Sequence, residues 1–321
     1  MNRVMIMDKA RSTAVRKEGR MNRTRRIIRK NIHYYILLLI PLLYILVFSY
    51  GPIIGNILAF RKFVPGGSIY GEEWTGLRYF KMFLGEASFW RAFNNTWLLN
   101  IYHLVFTVPV SILFALIVNE IKPARMRNLV QTVSYLPNFI SIVVVVGLMT
   151  ELLSPTYGLV NELLGKLGVP PTFFMNEAGW FRTLYISSEI WQFTGWNSII
   201  FFAAITSIDH QLYEAADMDG AGRLQKIWHV TLPQIMPTIV VVYIMSFGHL
   251  MTVAFEKVLL MYTPSNSERS DVIETLVHRI GIQSTNYSYS TAISLFGGLL
   301  GLVIVVTANA LAKKYTRYSL Y

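Results

Sequence analysis

Residues 208–237 read IDHQLYEAADMDGAGRLQKIWHVTLPQIMP, and this stretch decides how the chain folds and works. Asp209 is placed to cap a short helix over 212–218, because a side-chain carboxylate accepts from unpaired N–H groups of a first turn. Ala215 and Ala216 beside Glu214 leave a small surface on which another backbone comes close. Asp219-Gly220 is a turn dipeptide, and Gly220 tolerates the positive φ that a sharp reversal needs. A second short helix is expected over about 223–230, turning Leu224, Ile227 and Trp228 toward lipid or protein. Pro233 and Pro237 are expected to break the chain at the start of the next apolar run. The unit is a helix–turn–helix with one acid and small residues at its tip. The plainer alternative is an amphipathic hairpin that only anchors a loop at a membrane surface.

Outward from that stretch, the chain has 321 residues, 53% hydrophobic and 15% charged. A soluble domain carries about 25% charged residues, so this is the balance of a membrane protein. There is no cysteine, which excludes disulfides and thiolate chemistry. A spanning helix needs roughly 20 mostly apolar residues. Six stretches free of Asp, Glu, Lys and Arg meet or nearly meet that length: 31–60, 92–119, 128–150, 190–208, 230–255 and 280–312. The first is too long in its apolar part for a cleaved signal peptide and has no small-x-small site after it.

Lys/Arg asymmetry gives the orientation. Residues 1–30 hold eleven Lys/Arg and two acids, most of the formal charge of +11. With the N-terminus in the cytoplasm, the inner segments 1–32, 120–128, 207–231 and the tail after Ala312 carry 19 basic residues. The longer outer loops, 61–91, 154–189 and 256–290, carry nine, with Lys257 left out at the end of the fifth span. Both termini are then cytoplasmic. This anchoring accounts for the basic arm without a nucleic-acid partner. The outer loops contain turn signals at 65–67, Pro170-Pro171 and Thr263-Pro264, and 158–167 reads as a helix on the outer face. The sequence has no Gly-x-x-x-x-Gly-Lys phosphate loop and no soluble catalytic domain. If ATP is used, another chain binds it.

Glu214-Ala215-Ala216, then Asp219-Gly220-Ala221, then Val230-Thr231-Leu232-Pro233 and Pro237 resemble the EAA loop of ABC importer permeases in residue type and spacing. Phe89-Trp90-Arg91-Ala92-Phe93-Asn94-Asn95-Thr96 resembles the start of the shared permease core. Asn119-Glu120-Ile121, Gln131 through Pro137, Leu153-Ser154-Pro155 with Gly158 through Asn161, and Ile190-Trp191 through Gly195-Trp196 resemble the carbohydrate branch. The likeness covers roughly 30–321 and is greatest to permeases for oligosaccharides or polysaccharide fragments, alginate- and uronate-type systems among them. One departure is His210-Gln211, where Pro-Glu is common. The resemblance implies a type I importer permease fold. It also implies that the loop, 207–237, docks in a cleft of the ATPase through Glu214, Ala215, Ala216, Asp219, Gly220, Ala221 and Arg223, that Glu214 pairs with a basic group there, and that Gly220 holds the bend.

Ionisable residues within membrane segments are candidates for function. Glu151, Glu189, Glu256 and Lys257 lie near the ends of the charge-free runs, where water or headgroups reach them. His103 and His249 lie deeper and read as packed, hydrogen-bonded neutral side chains, since no mid-depth carboxylate is evident. Gln192 and Trp196 are i,i+4 neighbours on a helix. With Asn197 they offer amides and an aromatic face to a sugar, unless they belong to an interfacial aromatic belt. Gly297 and Gly301 read as helix packing. Pro109 and Pro137 are expected to bend their spans.

The expected architecture is all-α, with six transmembrane helices in the bacterial inner membrane. A cytoplasmic segment 1–30 precedes a permease domain 31–321. The resemblance implies a second homologous permease, two ATPase subunits that hold ATP and Mg, an extracytoplasmic solute-binding protein, a carbohydrate cargo and surrounding lipid. This chain binds no cofactor or metal and has no catalytic residue. A secondary transporter would instead show intramembrane charge pairs or repeat symmetry. A membrane enzyme would need a catalytic constellation that six scattered histidines do not supply. A permease for peptides, amino acids or an inorganic anion would share the loop.

Overall fold

The structure is a computed structural model, and it describes residues 29–316. The basic segment 1–30 lies outside the described residues except for its last two positions. Helices account for nearly all regular structure. One antiparallel pair, β1 (Arg61–Lys62) and β2 (Glu73–Trp74), is the addition to the all-α expectation.

The helices that matter to the site are α1 (Ile32–Phe60), α2 (Arg78–Leu84), α3 (Ala87–Asn119), α4 (Ala124–Phe139) and α5 (Ile142–Leu152). They continue with α6 (Leu159–Lys166), α7 (Ala178–Thr206), α8 (His210–Met218) and α9 (Arg223–Phe247). Then come α10 (Phe255–Met261), α11 (Ser267–Ser270), α12 (Ile273–His278) and α13 (Tyr287–Thr316). The chain divides into two compact units after Ile57. In the first, the apolar side chains of α1 such as Leu37, Ile40 and Phe48 are exposed.

Three prolines inside long helices share one solution, whereas Pro41 and Pro237 sit within regular α-helix. A π turn spans 46–50, 103–107 and 227–231, and each ends two residues before a proline: Pro52, Pro109 and Pro233. A proline withdraws one N–H and crowds the preceding turn. The wider turn absorbs one extra residue and rearranges the carbonyls ahead of the ring. Gly51, Val108 and Leu232 each donate to the carbonyl five residues back. The second short helix expected over 223–230 is therefore not separate. It runs without a break into the fifth apolar run as α9, and Pro233 and Pro237 do not stop it.

Pro137 behaves differently. The run 128–150 is broken, with α4 and α5 meeting at 95°. Leu136–Phe139 tightens into a 3-10 turn, Ile140 is extended, and Ser141 caps α5 by accepting from the Val144 N–H at 3.4 Å.

Among the described residues, four helices are long and apolar enough to cross a membrane: α1, α3, α9 and α13 through Lys314. The bent α4–α5 pair makes five. The expected fourth span begins twelve residues early, since α7 starts at Ala178 rather than 190. Its 29 residues are long enough, but Ser188, Glu189, Gln192 and Ser198 lower its hydropathy, and all four are buried against protein. The fifth helix ends at Phe247, short of 255. The main core joins Leu104, Val108, Ile112 and Leu116 of α3 to Phe201 and Ile205 of α7 and Ile235 of α9.

Candidate functional site

The quoted stretch folds as a hairpin. Asp209 Oδ1 accepts from the Gln211 N–H at 3.0 Å, so α8 starts with its N-terminal donors capped despite His210-Gln211. At the other end the Gly220 N–H donates to Asp217 O at 3.1 Å and the Ala221 N–H to Ala216 O at 2.9 Å. This pair of bonds is a Schellman cap, which needs a left-handed residue, and Gly220 supplies it with φ +76°. The Gly222 N–H then donates to Gln225 Oε1 at 2.7 Å as α9 begins. Two cross-links hold the arms: Lys226 Nζ to Asp217 Oδ1 at 2.7 Å, and the Tyr213 and Thr231 hydroxyls at 3.0 Å.

The outer surface of the hairpin carries the expected residues. Glu214, Ala215, Asp219, Gly220 and Arg223 are exposed; Ala216 and Ala221 are half-buried. His210 Nδ1 lies 3.6 Å from Glu214 Oε1, one turn away. Met218, Leu224 and Trp228 of the hairpin are exposed as well. The arrangement is a surface of small residues that carries the exposed carboxylates of Glu214 and Asp219, with Asp217 paired to Lys226.

The second set of candidates lies on α7 and divides. Trp196 and Asn197 line a cavity of about 500 Å³ with His103, Ser111 and Ser246. Gln192 is buried and its Nε2 donates to Ile140 O at 2.9 Å, the carbonyl left free by the α4–α5 break. Its amide N–H is thus committed to the fold. Trp196 meets the same break edge-on through Phe139, with ring centres 5.8 Å apart. Gly195 lies where α7 touches the Ser134 carbonyl, and no side chain fits between them.

One constellation was not legible in the sequence. Lys257 and Glu189 were expected near water or headgroups, yet both are buried and paired, Nζ to Oε1 at 2.8 Å. Lys257 Nζ also donates to Tyr185 O at 3.3 Å and lies 4.5 Å from the Tyr185 ring centre. His103 Nδ1 is 3.6 Å from Glu189 Oε2, so His103 has a carboxylate beside it after all. His249, expected to be packed, is exposed and lines a cavity of about 240 Å³ with Asn100, His103, Glu189 and Thr252. Glu151 and Glu256 are exposed as expected. Among the described residues no group of three or more His, Asp or Glu is placed to hold a metal.

The motifs outside the hairpin have structural tasks. Asn95 Nδ2 donates to the carbonyls of Glu268 and Asp271 at 2.9 Å, while its Oδ1 takes Arg182 Nη2 at 2.8 Å. Thr96 Oγ1 accepts from the Ile273 N–H at 3.0 Å. These bonds tie the starts of α3 and α7 to the segment carrying α11 and α12. Asp271, buried there, pairs with Arg279 at 2.7 Å, and that bond raises the guanidinium above its ordinary value. Asn161 closes its own loop by donating to Leu153 O and Ser154 O at 3.0 Å and accepting from the Thr172 N–H at 2.8 Å.

Comparison with known proteins places this arrangement. Residues 82–317 match the family described as binding-protein-dependent transport system inner membrane component. The chain is 41% identical over 289 residues to YteP, a polygalacturonan/rhamnogalacturonan transport system permease protein of Bacillus subtilis strain 168, with 90% of each chain covered. It is 38% identical over 287 residues to protein LplB of the same organism, covering 89% of this chain and 90% of that one. It is also similar to a chain in the crystal structure of a bacterial ABC transporter involved in the import of the acidic polysaccharide alginate. There the TM-score is 0.85 at 40% identity, covering 92% of this chain and 99% of the other. These likenesses are to transport components rather than to enzymes. The chain belongs to the family of inner membrane components of binding-protein-dependent transport systems.

Proposed function

We propose that this chain forms half of the translocation pathway of an ABC importer for an oligosaccharide or polysaccharide, acidic glycans of the uronate type being the favoured cargo. Six spans cross the membrane in this reading: α1, α3, the α4–α5 pair, α7, α9 and α13, with both termini cytoplasmic. Helix α7 counts as the sixth because its polar groups face protein rather than lipid. A second homologous permease completes the pathway, a solute-binding protein delivers cargo outside, and two ATPase subunits beneath hold ATP and Mg. This chain holds no cofactor of its own. Relatives named for polygalacturonan, rhamnogalacturonan and alginate transport support the cargo class.

The observation that carries the proposal is the capped hairpin, which keeps Glu214 and Ala215 exposed, with Ala216 half-buried behind them, on a helix capped at both ends. ATPase closure pushes this hairpin, and α7 and α9 carry the movement into the membrane. Trp196 and Asn197 line the path; Gln192 shapes it by holding the break beside them. The buried Glu189–Lys257 pair also suits an ion-coupled carrier, but such a carrier has no use for the hairpin. The test is Glu214→Lys, scored by how much ATPase copurifies with the permease pair. Reversing the charge is expected to lower ATPase retention at least tenfold while the permease pair stays in the membrane. Full retention with normal uptake would sink the coupling role of the hairpin.

A further inference from the structure

The two arms that leave the hairpin meet again far from it. Helix α7 departs from its first arm, with only residues 207–209 between Thr206 and α8. Glu189 lies 17 residues up α7 from Thr206, about 26 Å at 1.5 Å per residue. Helix α9 is the second arm, and after Phe247 the chain turns through 248–254 into α10, which carries Lys257. Glu189 and Lys257, 68 positions apart, close this circuit with a bond of 2.8 Å. The Lys257 side chain is fully buried, as are Val258 and Met261 on the same short helix, packed with Phe181, Tyr185 and Ile186 of α7.

A buried ion pair is weak evidence for stability, because desolvating two charges offsets most of their attraction, and apolar replacements are often neutral. It is better suited to fixing one partner on the other in a single register. A third element joins it: His103 reaches Glu189 from within the π turn of α3, and such turns recur at functional positions. The cavity beside the pair leaves space for rearrangement on its other side.

We infer that Glu189 and Lys257 form a clasp that makes α10, on the outer side in the proposed orientation, move with α7 when the hairpin is pushed. The two are positioning residues for coupling, and neither is assigned a contact with cargo. The inference rests on the proposed role of the hairpin. It specifies where inner-face movement is handed to the outer face: at this pair rather than through lipid-facing surfaces.

The test uses the whole reconstituted complex with its binding protein and a uronate oligosaccharide. The double variant Glu189→Met, Lys257→Met removes both charges and keeps the volume; Lys257→Met alone leaves Glu189 buried with only His103 beside it. ATP hydrolysis is measured with and without loaded binding protein, alongside ATPase retention and thermal stability. The double variant is expected to retain its ATPase, its thermal stability and its basal hydrolysis. Its stimulation by loaded binding protein is expected to fall at least fivefold, and that of the single variant further. Unchanged stimulation in the double variant would overturn the clasp. So would loss of ATPase or of thermal stability in that variant, since the pair would then serve assembly only. Absence of stimulation in the unsubstituted complex would count against the proposed function itself, and with it the clasp.

Discussion

At the scale of residues, the hairpin turns on Gly220. Nothing lies within 4 Å of where its Cβ would be, so a side chain there meets no neighbour. The penalty is conformational: φ +76° costs an L-residue about 1–2 kcal/mol, more for a β-branched one. Gly220→Ala is expected to lower uptake modestly and Gly220→Val several-fold, with equal membrane insertion of both. Equal uptake by the two variants would show that the left-handed residue does not matter. Glu274 makes a separate case on α12. Burial pushes its carboxyl up to about 7, from an ordinary 4.5. Oε1 accepts from the Val253 N–H at 3.0 Å, and Oε2 is buried without a partner. A folded-state pKa above the unfolded one means stability is full below about pH 4.5 and is lost as pH rises through 7. The loss between pH 5 and 8 is of order 1–3 kcal/mol. Glu274→Gln should therefore raise the melting temperature of the purified complex at pH 8 and leave it little changed at pH 5. An equal effect at both pH values would contradict this ionisation.

At the scale of elements, the α4–α5 break depends on α7 lying close against it. A Cβ at Gly195 would collide with the Ser134 carbonyl, and overpacking of that kind costs about 1–3 kcal/mol. Gly195→Ala is expected to lower the melting temperature clearly, whereas Gly147→Ala, with open space around it, leaves it unchanged. Equal melting temperatures would mean the helices separate freely at that point. The hairpin was readable because its signals are local: a capping aspartate, a turn glycine, small residues at fixed spacing. The extent of α9 was not, since Pro233 argues for a break unless the π turn before it is known. Pro137 does mark a break, but nothing in the sequence says that Gln192, 52 positions away from Ile140, will hold it open.

At the scale of the whole molecule, charge-free runs locate α1, α3 and α13 well and the start of α7 poorly. Every run ends at a charge by construction, which put Glu189 and Lys257 at borders. A charge paired inside the protein does not end a helix, so α7 passes through Glu189 and reaches back eleven residues ahead of it to Ala178. The same logic explains why α7 is too polar to count as a span by hydropathy. The pairing itself joins distant positions and leaves no local pattern. Asn95, Thr96 and Asn161 are the opposite case: their motifs were visible, and the structure supplies the hydrogen bonds that give those residues their work.

In the proposed function an ATPase drives a glycan through this chain. The measurement is ATP hydrolysis by the complex reconstituted in lipid with its binding protein, across uronate oligosaccharides, neutral oligosaccharides and peptides. Stimulation several-fold over basal by oligosaccharides, greatest with uronates, and none by peptides is the expected result. Stimulation by peptides and by no glycan would contradict the account.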